Sequence, residues 1–205
     1  MPLTLDEGRR AVALARETLE AHVRGSPASE GPPDSGVLRE KRGVFVTLSK
    51  ELGGAKALRG CIGYPEPIKE LGQAIRDVTV YAAEDPRFPS PVAADELRSI
   101  VVEVSVLTVP RDLSAPVRRD PPSKIRVGVD GLVISNRYAS GLLLPQVATE
   151  QGWDRETFLS EACAKAGLSM DAWLEEGTRV QVFQAEIFAE TSPGGKVVRR
   201  LEPAT

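Results

Sequence analysis

The chain has 205 residues, enough for one good-sized domain with room for a subordinate lobe. With 41% hydrophobic and 27% charged residues it has the composition of a folded protein rather than a disordered one. A formal net charge of -3 leaves no global footprint for nucleic acid or an anionic membrane.

Two cysteines, Cys61 and Cys163, fit a reduced cytoplasmic protein better than a secreted disulfide scaffold. His22 is the only histidine, which argues against a zinc site built from several His and Cys ligands, and no cofactor or metal is assigned. Met1 leads into a polar, charged segment unlike a signal peptide, and the longest apolar runs are too short to cross a bilayer.

Residues 4–24 read as an amphipathic helix. Thr4 and Glu7 have capping-box spacing, and Val12, Ala15, Leu19 and Val23 share a face. Gly25–Gly36 is a Gly/Pro/Ser-rich loop or arm. Gly43–Leu48 is a β-rich run without clean alternation, expected to be buried on both faces. A turn carrying Gly53-Gly54 leads to a second strand at Ala57–Ile62, which makes a hairpin. Pro65 and Pro67 open a helix to about Ala83 with Ile68, Leu71, Ile75 and Val78 inward.

Asp85-Pro86 ends that helix, because the residue before proline is pushed out of helical geometry. Residues 99–109 form the clearest strand, and Pro110–Pro122 a polar connector. Asp130-Gly131 between Lys124–Val129 and Leu132–Ser135 predicts another hairpin. Leu142–Leu144 is a short strand, and Pro145 starts a helix through about Gln151. Asp154 caps a further helix that Gly167 stops. Met170–Glu175 is a short helical piece, Arg179–Glu190 returns to strand, and a weak closing strand lies near Val197-Val198. Strands and helices mix without a βαβ rhythm and no linker divides the chain. The expectation is therefore a single α+β domain over 1–205, a mixed or antiparallel sheet with flanking helices.

Leu58-Arg59-Gly60-Cys61-Ile62-Gly63 concentrates the candidate chemistry. A thiolate is the reactive form of cysteine, and positive charge nearby stabilises it. Strand alternation puts Arg59 on the face of Cys61, and Gly60 and Gly63 allow a close backbone approach to a ligand. The competing reading is a small buried residue at a Gly-rich strand end. Asp85-Pro86-Arg87-Phe88-Pro89 is a rigid loop in which Asp85 and Arg87 either bind a substrate or tie down the turn. Glu103, between valines, is either an acid/base held in a covered sheet face or a solvent-facing strand residue. Gln146 lies at a helix start that can receive an anion, and Cys163 reads as core packing. Arg118, Arg119, Lys124 and Arg126 form a local basic strip, better explained as solvated surface than as a nucleic-acid site.

Together with Glu103-Val104-Ser105-Val106-Leu107, Gly141–Ala148 and Trp153-Asp154, these blocks resemble the AMMECR-type domain family, whose prokaryotic members are called AmmeMemoRadiSam system protein A. The resemblance covers roughly residues 5–195. It implies an α+β fold with a larger and a smaller lobe around a cleft, and the Arg-Gly-Cys motif near that cleft. It also implies a pathway shared with Memo-type and radical S-adenosylmethionine proteins, which fits an adaptor for those partners, while the Gly-flanked, arginine-bearing cysteine turn fits a thiol-dependent enzyme or enzyme subunit in the same pathway. Cys61, Arg59 and Glu103 are the catalytic candidates; Gly60, Gly63, Asp85, Arg87 and Gln146 are the substrate-binding candidates.

Overall fold

A computed structural model describes residues 2–27, 36–53, 55–113 and 122–200. The fold is α+β, with antiparallel sheets flanked by helices. The chain forms two compact units: a larger one of Met1–Leu107 with Glu186–Thr205, and a smaller one of Thr108–Ala185.

The larger unit is built on a five-stranded sheet of order β2-β1-β3-β8-β9. Its strands are β1 (Val44–Leu52), β2 (Ala55–Tyr64), β3 (Ile100–Leu107), β8 (Ala185–Glu190) and β9 (Val197–Arg200). Helices α1 (Leu5–Arg24) and α2 (Leu71–Ala83) cover one face. Val44, Val46 and Leu48 of β1 and Val102, Val104 and Val106 of β3 meet Val12, Ala15 and Leu19 of α1 and Leu71, Ile75 and Val78 of α2 there. Each Leu or Ile buried in this layer contributes roughly 2 kcal/mol. Gly8 lets α1 approach the sheet closely, since a Cβ there would stand 2.0 Å from the Phe188 ring. The α1 capping box forms as expected, Thr4 and Glu7 bonding each other's backbone, and Gly25 closes the helix at φ 64°.

The smaller unit carries a four-stranded sheet, β4-β7-β5-β6. Its strands are β4 (Arg111–Asp112), β5 (Gly131–Ser135), β6 (Ser140–Leu143) and β7 (Arg179–Phe183). Helices α3 (Pro145–Gln151) and α4 (Arg155–Lys165) pack on it. Leu132, Ile134, Val180 and Val182 bury against Phe158, Leu159, Ala162 and Cys163. Cys163 is fully buried, and burial pushes its thiol pKa up.

Several elements differ from their sequence expectation. The expected strand Lys124–Val129 does not form: Pro122–Lys124 is a 3-10 turn, and β5 pairs with β6 and β7 instead. Asp130 is buried and accepts from the Arg126 backbone N–H at 2.9 Å and from Gln184 at 2.7 Å, so Asp130-Gly131 closes a loop instead of turning a hairpin. The Arg179–Glu190 run divides at Gln184 into β7 and β8, which belong to different sheets. Helix α2 begins at Leu71, leaving Ile68 53% exposed outside its stripe. β1 is fully buried on one face alone, with Phe45 and Thr47 half-buried on the other.

Candidate functional site

β2 is an edge strand of the larger sheet, and Cys61 sits on it directly opposite Thr47. Near the turn the hairpin is regular, pairing Leu52 with Ala55, Lys50 with Ala57 and Ser49 with Leu58. Gly60 then pairs with Leu48, so Arg59 is one residue too many and the strand bulges. The bulge re-aims Arg59. Its Nε and Nη2 donate to Glu96 at 3.0 Å, and Nη2 also donates to the carbonyls of Ser90 and Pro91. Lys50, which shares a strand face with the core residue Leu48, donates to the same carboxylate at 3.2 Å. The expected sharing of one face by Arg59 and Cys61 is thus undone, because alternation fails across a bulge. Nη1 of Arg59 is buried without a hydrogen-bond partner, and the Phe88 ring, 5.4 Å from Cζ, gives the guanidinium an aromatic face.

Glu96 was not a sequence candidate, although its place three residues after Ala93, whose N–H it accepts at 3.0 Å, has capping-box spacing. Arg59 first, then the Ala93 N–H and Lys50, hold its pKa down to about 2, from an ordinary 4.5. A depressed carboxylate stabilises the fold fully above its unfolded pKa and loses that contribution as pH falls through the folded one. The stability difference between wild type and Glu96→Gln should therefore be full above about pH 4.5 and vanish toward pH 2. Urea midpoints across that range measure it; a constant difference would show that the ion pair is not its source.

The arginine beside Cys61 is Arg87. Asp85, buried at the end of α2, accepts the Cys61 N–H at 2.9 Å and the Arg87 N–H at 3.0 Å. It also accepts from Nε and Nη2 of the Arg87 side chain. Arg87 Nη2 in turn donates to the Cys61 carbonyl at 2.8 Å. The Asp85–Arg87 pair therefore occupies both backbone groups that Cys61 presents at the open sheet edge, as a neighbouring strand would. The Arg87 side chain holds the Asp85 carboxyl well below the usual carboxylate range, against the opposing cost of burial. Asp85 first, and more weakly the Cys61 thiol, raise the Arg87 pKa.

The thiol is half-buried, and its Sγ lies 3.3 Å from Oγ1 of Thr47. Across β1, Thr47 is paired with Glu103, so Cys61, Thr47 and Glu103 form one row on the face turned away from the helices. Neighbouring strands lie about 4.8 Å apart, which sets Glu103 about 10 Å from the cysteine, two strands on. Glu103 is buried and pairs with Arg200 at 3.1 Å. Thr47 and Arg200 escape sequence reading, since both depend on strand register.

The two glycines make close approaches to the protein itself. A Cβ on Gly60 would stand 2.0 Å from the Ala82 carbonyl of α2, and one on Gly63 would stand 2.3 Å from the Phe45 ring. Gln146 lies in α3 of the smaller unit, half-buried. That helix has seven residues and no side-chain cap, too little for the anion site its sequence predicts. In the basic strip, Arg126 is paired with Asp130 at 3.1 Å, while Arg118 and Arg119 lie outside the described residues. Among the described residues no group of three or more His, Cys, Asp or Glu side chains could hold a metal ion. No described helix is long and apolar enough to cross a membrane.

Residues 12–188 match the AMMECR1 family model, and the chain belongs to that family. A protein of Methanothermobacter thermautotrophicus is 54% identical over 191 residues, covering 92% of this chain and 97% of its own. Protein PF1979 of Pyrococcus furiosus is 50% identical over 196 residues, covering 94% and 92%. The crystal structure of uncharacterized protein PH0010 from Pyrococcus horikoshii is similar at a TM-score of 0.72 and 48% identity, covering 94% of this chain and 96% of that one.

Proposed function

We propose that this chain is a cytoplasmic, thiol-dependent enzyme or enzyme subunit, acting in a pathway with Memo-type and radical S-adenosylmethionine proteins. The observation that carries the thiol reading is the mounting of Cys61. A half-buried cysteine is held by its own peptide N–H and C=O between Asp85 and Arg87, which puts a guanidinium on the backbone of the residue that carries the thiol. A cysteine that merely fills space needs no such fixing, whereas a nucleophile gains from being positioned and from nearby positive charge.

Iodoacetamide labelling of the folded protein against pH tests this. Cys61 should react in folded protein near neutral pH and Cys163 should not, with Cys61→Ser abolishing the signal. Absence of labelling below about pH 9 would remove the thiol reading.

A second reading, a non-catalytic adaptor for the same partners, is favoured by one observation. Among the described residues it is the Thr47 hydroxyl, not a carboxylate or imidazole, that hydrogen-bonds the Sγ, and a nucleophile ordinarily has a base within reach. Association with a Memo-type or radical S-adenosylmethionine protein that persists in Cys61→Ser, under reducing anaerobic conditions, would favour the adaptor.

A further inference from the structure

We infer that Arg87 is an anion anchor for the Cys61 site, and that the site takes a small molecule bearing a carboxylate or a comparable oxyanion within reach of the thiol. This rests on the reading of Cys61 as an accessible, reactive thiol.

Three features of Arg87 carry the inference. Its side chain is 57% exposed, yet it is fixed: Nε and Nη2 are committed to the Asp85 carboxylate, and Nη2 also to the Cys61 carbonyl. An exposed arginine tethered only by solvent would lose side-chain freedom on gripping a ligand; this one has already lost it on folding. Nη1 donates to no nitrogen or oxygen of the described residues, the remaining neighbour of the guanidinium being the Cys61 thiol itself, so one terminus of a rigid fork still offers donors. The fork is bonded to the residue that carries the thiol, and the thiol adds to the rise in Arg87 pKa. Asp85 neutralises most of the charge at long range, so recognition depends on hydrogen bonds at contact distance. Arg59 cannot serve in its place, because Glu96 and two carbonyls hold it on the other side of the bulge.

Two alkylating reagents that differ by one charge test the assignment. Iodoacetate and iodoacetamide both form an S–C bond at the thiolate and release iodide, but only iodoacetate carries a carboxylate. The ratio of their second-order rates at Cys61 in the full chain, divided by the same ratio for glutathione, should exceed one by about tenfold, the worth of one charge-assisted hydrogen bond. Arg87→Gln should bring the normalised ratio close to one. Mass spectrometry supplies the folding control, since unfolding would expose buried Cys163 and add a second label. A wild-type ratio no greater than that of glutathione overturns the anchor while leaving the thiol reading intact, and so does a raised ratio that survives Arg87→Gln. No reaction with either reagent overturns both.

Discussion

Asp85→Ala should destabilise the larger unit by about 3 kcal/mol and release Cys61 from its fixed position. The carboxylate is fully buried and serves two backbone N–H groups and a guanidinium at once. Its loss strands the Cys61 N–H at the sheet edge, a cost of about 1–3 kcal/mol for a donor shut off from water. Breaking a buried ion pair costs about 3–5 kcal/mol when the remaining charge stays buried, but Arg87 is more than half exposed and water can take it up, so the lower part of that range applies. The pH dependence has a definite sign. The Asp85 carboxyl is depressed in the folded protein, so its contribution is present above the ordinary aspartate value of 3.8 and shrinks as pH falls below it. Urea unfolding of wild type and variant at pH 7 and pH 3 reads both effects. A difference under about 1 kcal/mol at pH 7 would mean that the loop, not the carboxylate, holds the strand edge.

Gly60→Ala should cost at least as much, about 3 kcal/mol or more, through overpacking against backbone. The added Cβ would fall 2.0 Å from the Ala82 carbonyl oxygen and 3.5 Å from the Asp85 Cβ. A backbone carbonyl in the last turn of α2 cannot swing aside like a side-chain tip, so β2 and the helix end must separate. Gly53→Ala gives the comparison: it sits at φ +58° with nothing within 4 Å, and costs only the left-handed strain of about 1–2 kcal/mol. Thermal unfolding of both variants separates crowding from strain. Equal losses would sink the packing argument.

Much of this architecture is legible in the sequence because its signals are local. The Thr4–Glu7 box, the stripe of α2 from Leu71 onward, the β3 alternation and the Asp154 cap each lie within a few residues and fold as read. The Asp85-Pro86-Arg87 loop is also legible as a rigid polar turn. What fails is information carried by register. Read without a bulge, the hairpin continues from Leu52–Ala55 and places Cys61 opposite Val46, inside the helix-covered core. The single extra residue moves the thiol to the other face and hands Arg59 to Glu96. No local pattern announces that, since Leu58-Arg59-Gly60 alternates as well as any strand. Asp130-Gly131 fails for a related reason: a buried carboxylate with partners four and fifty-four residues away outweighs a turn propensity.

The extra residue at Arg59 also divides the hairpin into two segments that answer to different constraints. Beyond it, Gly60 is seated on the end of α2 and Cys61 is gripped by Asp85 and Arg87, so the position of the thiol is set from the helix side. Before it, residues 55–58 are exposed and follow the turn. Changes in the length of the β1–β2 turn should therefore be absorbed upstream of Cys61, leaving its iodoacetamide labelling rate unchanged. The exposed strand start at residues 55–58 is thus the expected place for a probe or tag that leaves the thiol undisturbed.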